Sequence, residues 1–348
     1  MESRYFRTPK RPASASSGDE RSGKKQKKTS DCDLRSLLDF SHLDSESAIA
    51  SRFDEIASAL LHAYLLVVHS GTSETCFTLL ELEFYLHKPQ CHEDPFVHRT
   101  EEQRELGRWY FHRAPGRGTT AYRGGTRKGL DLTFGDATAY GGILLRSIQR
   151  LDTAEIVCGP SLLVDKIVFL SNASTLTDLV GTKWGGDTSA FTQCGAFLRA
   201  RDDTEDSFSR RLCRTPRVGL ELSTASRGAF VIKPYRYIAS FDSPLKSKAQ
   251  TFVGAVQYCL EKDRDETTTM LMPDDVKAHS SRLHDQRLSA QLVGLTALNA
   301  TLIERYLRDY RGGFDNAAVS TFAGRKGVAA SPSACLSMMG ALYRSMVA

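Results

Sequence analysis

The stretch TLLELEFYL at 78–86 sets Glu81, Glu83 and Tyr85 at alternate positions among apolar residues. On a regular strand this spacing predicts that Leu79, Glu81, Glu83 and Tyr85 share one face. Leu80, Leu82, Phe84 and Leu86 then share the other, which is a core face. A carboxylate can act as a general base or stabilise developing positive charge, and an aromatic ring beside it can wall a substrate pocket. The same face can equally look to water, with its carboxylates solvated or paired with Arg and Lys on the next strand. Arg146, in GGILLRSI, alternates with apolar neighbours. It can hold a water beside Glu83, or form a structural ion pair with Glu83 or Glu81.

Five basic residues, Arg113, Arg117, Arg123, Arg127 and Lys128, crowd the glycine-rich segment 113–129. Such a segment can contact phosphates, with glycine allowing close backbone approach, or it can be a solvated loop. His87, Cys91, His92 and His98 lie close in sequence, but their spacing fits no standard zinc pattern. None of the eight cysteines forms a CxxC pair. No metal and no cofactor is expected.

These residues need elements to position them. The net charge of +5 is unevenly spread, because residues 1–28 hold nine Lys/Arg against three Asp/Glu and leave the rest close to neutral. Residues 1–30 read as a disordered basic tail. Its clusters, Lys10-Arg11 and Lys24, Lys25, Lys27 and Lys28, have the layout of a bipartite nuclear import signal, and they predict a nuclear protein that meets the import machinery. No apolar run is long enough to cross a bilayer, and no membrane role is expected.

Apolar positions Ile49, Phe53, Ile56, Leu60, Tyr64 and Val68 predict a helix across 44–68. Strands are expected at 75–86, 109–113, 130–135, 140–151, 217–223 and 230–240, with a turn into a helix at 159–170. The polar segment 173–215 reads as irregular. After Ser243 the pattern becomes helical, with one long helix through 280–310 and a last one opened by Pro332. The expectation is an α+β fold with a single strand-rich core, a curved antiparallel sheet with flanking helices, over 34–243. A helical C-terminal extension covers 244–348.

The ordered phrases LLELEFY, PFVHR, GLDLTFG, GGILLRSIQ, CGPSLLVDKI and RVGLELS…KPYRYI resemble the methylpurine (alkyladenine) DNA glycosylase family over roughly 45–240. The resemblance implies Glu83 as the base that activates water and Arg146 as its water-holding partner. It implies Tyr85 and His98 on opposite faces of a flipped base, Asp131 where the family has an asparagine beside the exocyclic group, and backbone at Val218 near the water. Tyr122 is the expected wedge, with Tyr110 second. The chain departs from the family where TEEQRELGRWYFHR replaces its basic stretch and where Asp131 stands for asparagine. A carboxylate accepts hydrogen bonds without donating them.

The expectation is therefore a nuclear, monomeric, monofunctional DNA glycosylase. It would excise alkylated or deaminated purines from double-stranded DNA after base flipping, leaving an abasic site. The alternatives are a catalytically silent relative that binds DNA or nucleotides, and a helical interaction protein in which the strands are only a scaffold.

Overall fold

The computed structural model describes residues 31–114, 121–193, 195–202, 212–262 and 275–347. Its centre is one sheet of ten strands. They are β1 (Tyr64–Ser70), β2 (Ser73–Lys88), β3 (His92–Glu93), β4 (Trp109–Phe111), β5 (Leu130–Thr133), β6 (Tyr140–Arg150), β7 (Ile156–Cys158), β8 (Ala196–Ala200), β9 (Cys213–Thr215) and β10 (Arg236–Ile238). The helices are α1 (Asp31–Leu37), α2 (Glu46–Ser58), α3 (Pro160–Leu170), α4 (Leu176–Asp178), α5 (Gly228–Ile232), α6 (Lys248–Lys262), α7 (Asp275–Leu283), α8 (Gln286–Leu295), α9 (Ala300–Asn316) and α10 (Pro332–Val347). The fold is α+β.

The 16-residue strand β2 is the spine of the sheet. One edge of it pairs with β6. The other edge is shared in succession by β1, β10 and β3, all antiparallel. The sheet separates two apolar cores. Leu79, Leu82, Phe84 and Leu86 face the first, against α2 and α3, where Phe53 of α2 and Phe84 lie 4.6 Å apart between ring centres. Leu80 and Ile238 face the second, made by α6 to α10. Helices α9 and α10 touch through glycine: a Cβ at Gly340 would lie 2.1 Å from the Tyr310 carbonyl oxygen. Packing thus runs across 243/244 without a break, because Phe252, Val253 and Val256 of α6 share a core with Cys213 of β9.

The structure corrects several expected elements. The helix expected through Val68 stops at Ser58, passes through a π-turn at Ala59–Ala63 and becomes β1. The run Leu65, Leu66, Val67 and Val68 lies on a strand flanked on both sides by β2 and β8, so it need not obey a helical stripe. Segment 173–215 contributes β8 and β9 to the sheet. Residues 217–223 are not a strand, since Gly219 takes φ +76° and the chain turns there. In 230–240 only Arg236–Ile238 is strand. The single helix expected over 280–310 is broken by an Asp285 cap before α8 and an Asn299 cap before α9.

Candidate functional site

Two irregularities shape the central face of the sheet. Leu79 pairs with Ile148, Glu81 with Ser147, and Leu82 with Leu145. Leu80 in β2 and Arg146 in β6 are thereby each left without an opposite residue. A bulge of this kind re-aims side chains and shifts the alternation. Leu79 accordingly faces the first core, not the face of Glu81, Glu83 and Tyr85 as simple alternation predicts. Arg146, at its own bulge, reaches both acids: its Nε lies 2.9 Å from Glu81 and its terminal nitrogen 3.3 Å from Glu83.

Glu83 is fully buried, with 0% of its surface exposed. Its Oε1 accepts from the Val218 backbone N–H at 2.7 Å. Its Oε2 accepts from the Tyr85 hydroxyl at 2.8 Å and from Arg146. Burial and the Glu83 carboxylate raise the Tyr85 hydroxyl well above its ordinary range, so Tyr85 stays protonated and donates. Glu81 accepts from Ser147 Oγ at 2.5 Å and from Arg236 Nε at 2.6 Å. Burial opposes its charge, but Arg236, Arg146 and Ser147 together hold it down at about 2. A second buried pair, Arg217 with Asp94, lies alongside, and the Arg217 guanidinium sits 4.4 Å over the Tyr85 ring. Glu81, Glu83 and Asp94 are thus balanced by Arg146, Arg217 and Arg236, the pairing that buried charge demands.

Next to this network is a hollow of about 170 Å³ lined by Tyr85, Phe96, Val97, His98, Gln103, His112, Asp131, Leu144 and Leu220. Its walls are mainly apolar and aromatic, with a few convergent polar groups, as small-ligand sites require. The buried Asp131 carboxylate accepts from His112 Nε2 at 2.8 Å. His98 is held by Tyr110, whose hydroxyl lies 3.3 Å from His98 Nδ1, and packs edge-on to His112 at 4.5 Å. Desolvation of its packed side and the nearby His112 push the His98 imidazole down to about 4.

Tyr85, His98 and Asp131, three residues picked out in the sequence, therefore come together around one hollow. Glu83 and Arg146 do not line it. They adjoin it through Tyr85, whose hydroxyl donates to Glu83, and through Leu144, the register partner of Glu83. Val218 contributes its backbone N–H to Glu83, not contact with the hollow. Tyr122 lies apart, packed on Phe111 and covered by Arg113 at 4.1 Å. Tyr110 is buried behind His98.

Of the basic segment, Arg113 is paired with Glu102 and Lys128 with Asp165. Arg123 and Arg127 line a surface hollow of about 420 Å³. Arg117 and the import residues Lys10, Arg11, Lys24, Lys25, Lys27 and Lys28 lie outside the described residues. His92, one of the residues close to Cys91 in sequence, is tied to the Leu86 carbonyl and the Tyr235 hydroxyl.

Gln103 and His112 escaped the sequence reading. The Thr100-to-Gln103 spacing of a helix start was available in TEEQREL, and Gln103 does sit on a short turn at Glu101–Arg104. His112 is two places after Tyr110, hence on the same side of the chain.

The sequence matches no protein-family profile. It is 31% identical over 212 residues to the uncharacterized protein L759 of Acanthamoeba polyphaga mimivirus, a stretch covering 57% of this chain and 90% of that protein.

Proposed function

This chain belongs to the family of mimivirus protein L759, whose name carries no activity, and we propose from the site itself that it is a purine-excising DNA glycosylase. In this reading the hollow receives a damaged purine turned out of the duplex, stacked between Tyr85 and His98. Water bonds to the deoxyribose C1′ as the bond from that carbon to the base breaks. The electron pair of that bond leaves with the base, and the water proton passes to Glu83 and then to solvent. A base that carried positive charge departs neutral, and a neutral one such as hypoxanthine or ethenoadenine takes up a proton from solvent as it leaves. Arg146 and the Val218 N–H hold the carboxylate in place, and no lysine is required for a covalent step. Duplex DNA is the partner, with Arg123 and Arg127 as candidate phosphate contacts. The basic tail would send a monomeric enzyme to the nucleus.

The observation that carries the reading is the double role of Tyr85: it is a wall of the hollow and also the hydrogen-bond donor to Glu83. Its test is incubation with duplexes bearing 3-methyladenine, hypoxanthine or ethenoadenine, followed by alkali. Strand breaks are expected with wild type and not with Glu83→Gln. Absence of breaks on all three duplexes rejects it.

The complete burial of Glu83 favours a second reading, a base-binding relative that does not cleave. That reading requires a gel shift on the same duplexes without strand breaks.

A further inference from the structure

Three walls of the hollow are backed by the C-terminal helices. Leu220 is buried in the core that α6 to α10 build, and Tyr85 and Phe96 pack against that core. The segment from Arg217 to Leu222 carries two groups of the site: Val218 gives its N–H to Glu83 Oε1, and Leu220 is a wall. Between them Gly219 turns at φ +76°, and among the described residues no atom stands within 4 Å of where its Cβ would be. A glycine in open space lets the backbone pivot, so both groups depend on what holds the ends of the segment.

Different parts of the chain hold the two ends. At the near end the Arg217 guanidinium, 0% exposed, donates to the Phe84 carbonyl at 3.0 Å and to Asp94. At the far end the C-terminal extension takes hold. Glu221 Oε1 accepts from the Gly327 N–H at 3.1 Å, 106 residues away in sequence. The Leu222 carbonyl accepts from the Gly324 N–H at 2.8 Å. Both donors lie between a short turn at Val319–Thr321 and α10, and both glycines are left-handed, with φ +74° at Gly324 and +78° at Gly327. Leu222, Phe322 and Val328 are buried together beneath this clasp. Leu342 of α10 closes on Gly228, where a Cβ would lie 2.6 Å from it.

We infer that the C-terminal helices complete the site, with Glu221 the positioning residue through which they hold the Val218 N–H on Glu83. An N–H donated to a carboxylate fixes its orientation. A misplacement of about 1 Å can cost on the order of a hundredfold in rate. Release of Glu221 frees the segment to pivot at Gly219, and Glu83 then keeps its charge but loses part of its alignment. The effect on excision rests on the proposed function, whereas the clasp does not.

Two measurements on the full chain separate these. Hydrogen exchange at the Val218 amide, followed by NMR, reads the clasp. In Glu221→Ala it is expected to speed up about tenfold, while the amides of α6 keep their wild-type rates. Gly327→Ala, which strains the turn that presents the donor, is expected to move Val218 in the same direction. Glu221→Gln retains an accepting oxygen and is expected to restore most of the protection. Release of 3-methyladenine from a damaged duplex, with enzyme in excess, reads the consequence. It is expected to slow about tenfold in Glu221→Ala, with duplex affinity within about twofold of wild type, and to recover in Glu221→Gln. Val218 exchange unchanged in either alanine variant, faster exchange shared by α6, or a glutamine variant that behaves like alanine overturns the inference. So does excision at the wild-type rate despite faster exchange at Val218. Faster exchange confined to 218–222 in a protein that releases no base leaves the clasp standing and removes the hydrolysis. Base release with Val218 unmoved does the opposite.

Discussion

The Tyr85 hydroxyl donates to Glu83 Oε2 across 2.8 Å, two residues along the same strand. A side chain that lines the hollow is thereby tied to the one carboxylate that also receives Val218 N–H and Arg146. In Tyr85→Phe the ring stays and the donor goes. Loss of that bond is expected to lower stability by about 1 kcal/mol and to slow base excision by about tenfold. Thermal melting and strand-break rates measured on the same preparation check both. An unchanged rate would separate Tyr85 from the chemistry of Glu83.

Glu81 is expected to matter for folding more than for excision. It receives Arg146, Arg236 and Ser147 in a buried setting. Glu81→Gln leaves those cations poorly compensated and should cost about 3–5 kcal/mol, the usual penalty for breaking a buried pair. Urea unfolding measures it. A midpoint close to wild type would mean that the network contributes little.

Stability is expected to rise with pH across two windows. His98, ordinarily near 6.5, is held at about 4 in the fold. The unfolded chain therefore takes up that proton first, and stability drops as pH falls from 6.5 to 4. Glu81, lowered from 4.5 to about 2, adds stability that is complete above 4.5 and is lost as pH falls toward 2. That second contribution is on the order of 3 kcal/mol. Urea midpoints measured from pH 7 to pH 3 should decline throughout, and His98→Asn should reduce the decline only in the upper window without abolishing it, because burial also holds His87 and His92 below their ordinary values. Midpoints that stay constant between pH 6.5 and 4 would contradict the placement of His98.

Arg123 and Arg127 line the surface hollow near the glycine-rich segment, whereas Arg113 and Lys128 are engaged in ion pairs. Charge removal at Arg127 is expected to weaken duplex binding uniformly across sequences and to reduce the slope of log affinity against log salt by about one. Arg113→Ala should change that slope less. Gel shifts at several salt concentrations distinguish the two.

The sequence disclosed the face on which Glu83 and Tyr85 sit, because alternation in β2 is intact from Glu81 onward. It hid the bulges at Leu80 and Arg146, since an extra residue in each strand leaves the local composition unchanged. The ion-pair reading of Arg146 was legible from its type and neighbours, and the structure pairs it with both glutamates. The depth of Glu83 was not legible. It is set by Arg217 and Val218 folding over β2 from a segment 135 residues further on, a long-range closure that no local pattern encodes. The setting of Tyr122 was not legible for a similar reason: its ring is drawn onto Phe111, and only the tertiary path of the loop decides that.

The central claim is that Glu83 acts on a base held against Tyr85. Chromatographic release of free 3-methyladenine from a damaged duplex, with enzyme in excess, tests it most directly. Wild type is expected to release the base, and Glu83→Gln to do so at least about a hundredfold more slowly, with duplex affinity retained, both measured well below the melting point of the variant, which loses the buried pair with Arg146. Equal release by both proteins, or none by wild type, would contradict the account.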